Sequence, residues 1–237
     1  VQRLCVLGSA GFVGNAIARQ AHAQGLECLT PSRDDIHRLT QPLGHVVYAI
    51  GLTADFRTRP LDTMEAHVCV LRNLLAEADF SSLTYLSSTR VYAGNADTSE
   101  MADLRVNPNN PSDLYNLSKL AGESLCKGVK IARLSNVIGA GQGTDNFVGQ
   151  LLREAMAQGH AVMQTAPGAR KDYICVDDAA ALLLRIASAD HTGIFNVASG
   201  EATSGQRIAD LMHQVLGLTV HTNPEAPNWD FQPIDIT

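Results

Sequence analysis

The chain has 237 residues, of which 45% are hydrophobic and 18% charged, and a formal net charge of −6 at pH 7. This length and composition predict a globular protein with one large domain, or with one domain and a small lobe. The negative charge and the lack of a Lys/Arg run argue against nucleic acid and anionic membranes as partners, and no stretch is apolar enough to span a bilayer. We predict reduced cysteines, because the five cysteines are scattered and form no Cys-x-x-Cys pair. We predict no metal site, because the eight histidines lack ligand spacing. Together with the absence of a signal-peptide pattern, this predicts a cytoplasmic protein.

The first predicted unit is a strand, a glycine turn, a helix and a second strand, over "RLCVLGSAGFVGNAIARQAHAQGLECLT". Residues 3–7 form a short apolar strand, and an alanine-rich amphipathic helix follows to about Gln24. Gly25 ends this helix, and the second strand covers about 26–30. The order of these elements is that of a βαβ unit with a parallel sheet.

Three glycines between the first strand and the helix carry the chemistry of this unit. Gly8 permits the sharp exit from the strand, Gly11 lets the backbone approach a pyrophosphate, and Gly14 lets the helix pack closely on the sheet. The free N–H groups and the positive dipole end of the helix N-terminus favour phosphate there. We therefore predict a bound dinucleotide, with Phe12 and Val13 of the first helical turn among its contacts.

The end of the second strand bears on which dinucleotide binds. A carboxylate there would hold the ribose hydroxyls of NAD, but the expected position is Ser32, followed by Arg33. A hydroxyl and a guanidinium suit the 2′-phosphate of NADP better than a diol. Asp34 and Asp35 lie just beyond and could reach back. We predict NADP, with NAD as the alternative.

The third apolar strand is "HVVYAIGL", at 45–52. Ala49 and Gly51 near its end are small enough to let a nicotinamide ring lie against the strand, although packing under a helix explains them equally well. Residues 31–44 leave too little room for a further strand and helix, which predicts a trimmed unit or an error in the assigned register.

A helix is predicted at about 61–79, followed by the strand "SLTYLSSTRVYAG", which ends in Ser87, Ser88 and Thr89. Because ligands bind outside the carboxyl ends of parallel strands, these hydroxyls are placed to face a substrate. The next helix, in "LYNLSKLAGESL", carries Tyr115 and Lys119 on one face. An ammonium beside a phenol lowers the phenol's pKa, so the pair is a candidate for proton transfer, although the same spacing occurs on solvated helices.

The glycine turn, the strand end "SSTRVY" and Tyr115-x-x-x-Lys119, in this order, resemble the extended short-chain dehydrogenases/reductases. The chain is most similar to their NAD-dependent epimerase/dehydratase family, which acts on nucleotide-diphosphate sugars. The segments "RLSNVIGAG", "KDYICVDDAA" and "GIFNVASGEATS" extend the resemblance from residue 3 to about 215.

The resemblance implies an α/β fold, a Rossmann-type doubly wound parallel sheet with a small C-terminal substrate-binding lobe. We expect residues 1–135 to form the dinucleotide-binding domain, with strand contributions from about 172–177 and 193–198. Residues 136–237 would form mainly the substrate lobe, interleaved with the first domain. The short spacing from Lys119 to Arg133 predicts either a truncated connection or missing residues.

For catalysis, the resemblance implies that Tyr115 is the general acid/base and that Ser88 hydrogen-bonds the reacting oxygen. Lys119 would lower the pKa of the phenol and bind the nicotinamide ribose. Cofactor contacts are also implied at Ser87 and at His67, where the family often has an asparagine. Hydride transfer at a carbinol needs a base for the proton, so this set is chemically coherent.

For the substrate, the resemblance implies phosphate contacts from Asn136, Asn146 and Lys171, which could otherwise be a turn residue, a helix cap and a surface charge. Thr89 and Arg90, which the resemblance also implies as substrate contacts, follow the catalytic hydroxyl, where the family's dehydratases have an Asp-Glu pair. A hydroxyl and a cation cannot perform that acid/base elimination. This departure argues against 4,6-dehydration.

These residues predict an NAD(P)-dependent enzyme that epimerises C4 or reduces a 4-keto group of a nucleotide-diphosphate sugar. The alternatives are a reductase of a non-nucleotide carbonyl compound and a non-catalytic dinucleotide-binding regulator. Apolar residues on the helices near 61–79 and 114–126 agree with a homodimer that packs them together, and equally with core packing.

Overall fold

The computed structural model describes residues 3–33, 35, 41–53, 55–143, 146–223, 225–228 and 231–237. The strands are β1 (Arg3–Leu7), β2 (Glu27–Leu29), β3 (His45–Tyr48), β4 (Ser82–Ser88), β5 (Lys130–Leu134), β6 (Asn136–Ile138), β7 (His160–Val162), β8 (Arg170–Cys175), β9 (Gly193–Val197), β10 (Ala202–Ser204) and β11 (Thr219–His221). The α-helices are α1 (Phe12–Ala23), α2 (Pro60–Met64), α3 (Val70–Glu77), α4 (Leu114–Leu125), α5 (Phe147–Gln158), α6 (Val176–Ser188) and α7 (Gly205–Leu216). No helix among the described residues is both long and apolar enough to cross a membrane.

Six parallel strands form the main sheet, in the order β2-β1-β3-β4-β5-β9. Its inner strands are buried along nearly their whole length, as expected for a parallel sheet covered on both faces. Between β1 and β3 the strand order reverses, which opens a crevice at their carboxyl ends. The predicted Rossmann-type fold is confirmed.

Helices cover both faces of this sheet. On one face α1 and α6 pack on a core that includes Ile17, Val47 and Leu183. On the other face a core with Leu71 and Tyr85 joins the sheet to α3. β2 is the outermost strand on its side in the part of the chain described, which agrees with a trimmed second unit; Asp34 and residues 36–40 lie outside the described residues.

The C-terminal lobe contains a three-stranded sheet, β10-β8-β6, and the parallel pair β11-β7. Helices α5 and α7 pack on these strands around Leu151, Met163 and Met212. The expected contribution of a strand at 172–177 to the main sheet is wrong. β9 takes the place next to β5, and β8 pairs with β6 in the lobe instead, while α6 begins at Val176 and returns the chain to the main sheet.

The predicted helix at 61–79 contains a π-helical turn, Glu65–Cys69, between α2 and α3. Two buried tyrosines from the neighbouring strands donate to carbonyls of this turn: Tyr48 to Ala66 O at 2.6 Å and Tyr85 to His67 O at 3.4 Å. α4 packs closely against the turn through Gly122, where a Cβ would collide with Tyr85 and the His67 carbonyl. π-turns are frequent at functional sites, and this one fixes where the His67 side chain points.

The connection from α4 to β5 is a tight turn at 126–129, with Gly128 at φ +73°. α4 has twelve residues, and β5 begins at Lys130. The short spacing between Lys119 and Arg133 is therefore accommodated by a truncated connection, one of the two expected alternatives.

Candidate active site

The glycine turn lies at the carboxyl end of β1, in the crevice. Gly8 has φ +89°, and a Cβ there would lie 2.8 Å from the backbone carbon of Ala49. A Cβ on Gly14 would collide with the Gly8 carbonyl, and the Gly11 N–H donates to that same carbonyl at 3.0 Å. The turn is therefore closed so tightly, against the end of β3, that these positions require glycine.

The N-terminus of α1 faces this turn. Its N-cap, Gly11, provides no side-chain hydrogen bond, and the first turn contains no acidic residue. Phe12 and Val13 pack against the core shared with α6. The helix N-terminus thus keeps backbone donors and a positive dipole end for an anionic ligand. This is the fit that a dinucleotide pyrophosphate requires.

At the end of β2, the predicted cofactor-selecting residues are close to a carboxylate. The Ser32 hydroxyl donates to Asp35 Oδ2, and Arg33 is exposed beside them. A guanidinium and a carboxylate are thus both available to a ribose or its phosphate. NADP over NAD stays a prediction.

The three predicted catalytic residues meet at the carboxyl end of β4. Tyr115 is 6% exposed, and the Ser88 side chain lies close enough to its hydroxyl to lower its pKa. Lys119, 4% exposed, donates to Leu86 O at 2.9 Å, with Nζ 5.9 Å from the centre of the Tyr115 ring. A Cβ on Gly51 would lie 3.5 Å from Lys119 Nζ, so the end of β3 borders the same site.

The expected lowering of the Tyr115 pKa by Lys119 stays a prediction. Burial raises the pKa of Tyr115, and the groups that oppose this are the Ser88 hydrogen bond and the charge of Arg90. Lys119 is itself desolvated, which lowers its pKa to about 7, so its ammonium is only partly populated at neutral pH. Both groups can therefore change protonation when the polarity of the crevice changes.

His67 forms part of the wall beside Tyr115. Its Nε2 accepts from the Leu52 N–H at 3.1 Å, its Nδ1 lies 2.8 Å from Ser118 Oγ, and that hydroxyl donates to the Tyr115 carbonyl. These bonds assign the proton to Nδ1. Burial, followed by the charge of Lys119, lowers the pKa of His67 to about 3, so the ring is neutral. The ring meets Tyr115 edge to face at 5.4 Å between centres, which fixes both rings.

Ser87, a predicted cofactor contact, points its hydroxyl at the carboxylate of Glu123. That carboxylate also forms a buried two-pronged pair with Arg133, at 2.7 and 3.1 Å. Arg133 in turn donates to the Tyr92 hydroxyl at 2.8 Å. This network joins α4 to the ends of β4 and β5 and holds the helix that carries the phenol.

The predicted substrate residues Thr89 and Arg90 form a 3-10 turn directly after β4. Thr89 is buried, and the Arg90 N–H donates to Ser88 Oγ at 3.2 Å. Lys171, on β8, lies with Nζ 5.4 Å from the centre of the Phe147 ring. Burial, then the charge of Arg90, lowers the pKa of Lys171.

The two predicted asparagines are engaged with the backbone. Asn136 donates to Asp172 O at 2.8 Å, and Asn146 caps α5 by accepting from the Gly149 N–H at 2.8 Å. These are the simple structural roles of residues that join a strand pair or begin a helix. Their predicted contacts with substrate phosphate stay predictions.

Three residues of the site were missed by sequence reasoning. Ser118 carries a signal, since it lies between Tyr115 and Lys119 and within helical reach of the former. Phe56 and Arg57 carry none, because the segment after β3 has no periodicity. The buried Phe56 ring lies 5.5 Å from that of Tyr115, centre to centre, and Arg57 covers it at 4.4 Å.

Two curated relatives match over most of their length. GDP-6-deoxy-D-mannose reductase of Pseudomonas aeruginosa is 28% identical over 247 residues, 90% of this chain and 80% of that protein. dTDP-6-deoxy-L-talose 4-dehydrogenase (NAD(P)(+)) of Kitasatospora kifunensis is 26% identical, over 99% of this chain and 87% of that protein.

Solved structures share the fold. RMD from Pseudomonas aeruginosa, complexed with NADPH, has a TM-score of 0.78 at 25% identity and covers 98% of this chain and 90% of its own. UDP-N-acetylglucosamine 4-epimerase from Methanobrevibacter ruminantium M1 has a TM-score of 0.84 at 18% identity and covers 100% of this chain and 90% of its own. At this identity the likeness shows the fold alone.

The family model described as "NAD dependent epimerase/dehydratase family" matches residues 4–198. The match takes in the glycine turn, the strand end with Ser88, the helix with Tyr115 and Lys119, and all six strands of the main sheet except the first residue of β1. With that much of the fold and the crevice inside one match, the chain belongs to the NAD dependent epimerase/dehydratase family of the extended short-chain dehydrogenase/reductase type.

Proposed function

We propose that the protein transfers hydride at C4 of a nucleotide-diphosphate sugar, with NADP or NAD as cofactor, in the reduction of a 4-keto sugar or the epimerisation of C4. The observation that carries this proposal is the meeting of Ser88, Tyr115 and buried Lys119 at the crevice of the parallel sheet, where Ser88 acts on the phenol and Lys119 lies beside its ring. The two curated relatives, a reductase and a 4-dehydrogenase, favour reduction of the 4-keto group.

Proton transfer falls to Tyr115. In reduction, the phenol donates its proton to the sugar carbonyl oxygen, which Ser88 hydrogen-bonds, and in oxidation the phenolate takes the proton from the 4-hydroxyl. Lys119 in its ammonium form stabilises the phenolate, offsetting the burial that raises the pKa of Tyr115. The hydride is supplied or accepted by the nicotinamide when the cofactor is bound.

The residues present suit a dinucleotide. The uncapped N-terminus of α1 and the tight glycine turn would hold its pyrophosphate. Ala49 and Gly51 are the proposed nicotinamide contacts at the end of β3, where a Cβ on Gly51 would lie 3.3 Å from His67 Nε2 and 3.5 Å from Lys119 Nζ. Ser32 and Arg33 would hold the adenosine ribose or its phosphate.

For the substrate, Lys171 is the proposed cation for the diphosphate, with Asn136 and Asn146 nearby along the lobe. Elimination of water is disfavoured, because the turn after Ser88 presents Thr89 and Arg90 rather than carboxyl groups. Exposed apolar side chains on α2 and α4, Leu61 and Leu125, support the proposed homodimer.

The test is turnover of a panel of nucleotide sugars. Purified protein is mixed with NADPH or NADH and with GDP- or dTDP-linked 4-keto-6-deoxyhexoses, and separately with NAD and UDP-, GDP- and dTDP-linked hexoses and hexuronic acids. A reductase consumes reduced cofactor in proportion to product, whereas an epimerase interconverts two sugars without net change at 340 nm. Binding of a dinucleotide without turnover or binding of any sugar in the panel would refute the proposal and leave a carbonyl reductase of another class or a regulator.

A further inference from the structure

We propose that the sugar bears a carboxylate next to the reacting carbon, and that Arg90, with Arg57, binds it. This inference rests on the proposed function in its epimerising form, because a 4-keto-6-deoxyhexose carries a methyl group on C5 where a uronic acid carries a carboxylate. It names a class of substrate, nucleotide-linked uronic acids and related acidic sugars, and a residue that selects for it.

The first ground is the position of Arg90. It lies two residues after Ser88, in the 3-10 turn, and its backbone N–H donates to the Ser88 hydroxyl at 3.2 Å. Its guanidinium is close enough for its charge to act on the phenol. Arg90 therefore lies at the reacting end of the crevice.

The second ground is that this cation is left without an anionic partner. One guanidinium nitrogen donates to Ser112 O at 3.2 Å, while the buried Nε has no hydrogen-bond partner. In the part of the chain that the structure describes, no carboxylate forms an ion pair with Arg90 or Arg57. Asp113 is the acidic group that acts on Arg90, but its oxygens already accept from the Asn107 N–H and the Asn110 amide.

The third ground is the convergence of like charges. Arg57 and Arg90 lie 4.4 and 5.6 Å from the centre of the Phe56 ring, and the charge of each acts on the other. Arg57 also donates to Ser112 Oγ at 3.0 Å, on the residue whose carbonyl binds Arg90. Burial of an unpaired guanidinium beside a second cation is unfavourable, and an anion of the ligand would offset it.

The fourth ground is that the carboxylate and the diphosphate of the ligand would bind at different places in the site. In a pyranose, C1 and C4 lie at opposite ends of the ring, so a sugar with its C4 oxygen on Tyr115 and Ser88 directs its diphosphate away from them. Lys171 is available to that diphosphate. Arg90 then faces a substituent on C3 or C5, and the carboxylate of a uronic acid, on C5, matches the planar fork of a guanidinium.

The experiment compares pairs of ligands that differ only in this group: UDP-glucuronic acid with UDP-glucose, GDP-mannuronic acid with GDP-mannose, and dTDP-glucuronic acid with dTDP-glucose. Dissociation constants are measured by calorimetry in the presence of NADP or NAD for wild type, Arg90→Met, Arg57→Met and the control Arg72→Met, an exposed arginine on α3. Thermal unfolding and NADPH binding show that each variant is folded.

For the best-bound nucleotide, we expect wild type to bind the acid about 10- to 100-fold more tightly than the neutral sugar. Arg90→Met should remove this preference, Arg57→Met should reduce it, and Arg72→Met should keep it. Equal or tighter binding of the neutral sugar by wild type, or a preference that survives in folded Arg90→Met, would overturn the inference while leaving the proposed function in place. If no member of any pair binds, this inference falls together with the epimerising form of the proposed function, and turnover of the 4-keto-6-deoxyhexoses decides the reductive form.

Discussion

Both edges of the main sheet bury a lysine that donates to a backbone carbonyl. At the carboxyl edge Lys119 donates to Leu86 O at 2.9 Å, and at the amino edge Lys130 donates to Ala187 O at 2.7 Å. Desolvation lowers the pKa of both lysines. The two edges therefore share a buried lysine with a lowered pKa, although we assign chemistry only to the carboxyl edge.

Each lysine also has a histidine–serine pair nearby. His67 Nδ1 lies 2.8 Å from Ser118 Oγ at the carboxyl edge, and His45 Nδ1 lies 2.8 Å from Ser82 Oγ at the amino edge. In both histidines desolvation, followed by a lysine charge, lowers the pKa. The similarity of the two clusters shows that residue type, spacing and burial do not by themselves distinguish a reactive site.

The partners of the lysines distinguish the two edges. Lys130 binds a carbonyl in the last turn of α6, where a cation satisfies the helix C-terminus. Lys119 instead lies beside a phenol and a strand-end hydroxyl, next to the glycine turn that suits a pyrophosphate. The carboxyl edge therefore combines a proton donor with room for a cofactor, and the amino edge fastens a helix to the sheet.

The largest effect is expected from removal of the proton donor. Tyr115→Phe should lower kcat by about 10²- to 10⁴-fold on the substrate found in the panel, because the phenol is the proposed general acid. NADPH affinity should remain near that of wild type, since the ring is retained. The matched control is Tyr173→Phe, which loses a hydroxyl from a ring that packs on the core of the C-terminal lobe and should keep its turnover. Equal turnover in Tyr115→Phe and wild type would assign the proton transfer elsewhere.

A smaller effect should separate the two lysines. Lys119→Met should lower kcat/KM by about 10- to 100-fold, because the phenolate loses its neighbouring ammonium. Lys130→Met should keep the kcat/KM of the folded protein and lose about 1–3 kcal/mol of stability, because the Ala187 carbonyl loses its donor. Steady-state kinetics and urea unfolding of both variants test this contrast. Comparable losses of activity in the two would contradict the different roles given to the two edges.

Much of the carboxyl edge could be predicted from the sequence because its parts follow local rules. A glycine turn between a strand and a helix, hydroxyls at a strand end and a helical pair four residues apart all have fixed geometry in a parallel sheet. Tyr115, Lys119 and Ser88 are therefore found together in the structure.

The unpredicted parts depend on contacts between distant segments. The π-helical turn that orients His67 is held by hydroxyls of Tyr48 and Tyr85, on two other strands. β8 pairs in the lobe because β9, later in the chain, occupies the edge of the main sheet. Neither contact leaves a periodic signal in the sequence. That burial raises the pKa of Tyr115 could likewise not be predicted from the sequence, because burial depends on the whole fold.

The last prediction uses pH to show that Lys119 is buried as described. Its pKa is about 7 in the folded protein, against 10.5 for the unperturbed group, so between these values the unfolded chain binds more protons. The contribution of Lys119 to the free energy of unfolding therefore rises as the pH increases from about 7 towards 10.5, and it does not change below about pH 7. The unfolding free energy of wild type relative to Lys119→Met should increase by about 1 kcal/mol per pH unit from pH 7 to 9.

Urea unfolding of both proteins at pH 6, 7, 8 and 9 measures this difference, and groups shared by the two cancel. Lys127→Met, at an exposed position in the turn after α4, is the control and should show no such slope relative to wild type. A flat difference for Lys119→Met would mean that its amine is solvated in the folded protein. The amine would then be charged throughout this range, and the contrast between a polarity-sensitive lysine in the crevice and an ordinary surface lysine would be lost.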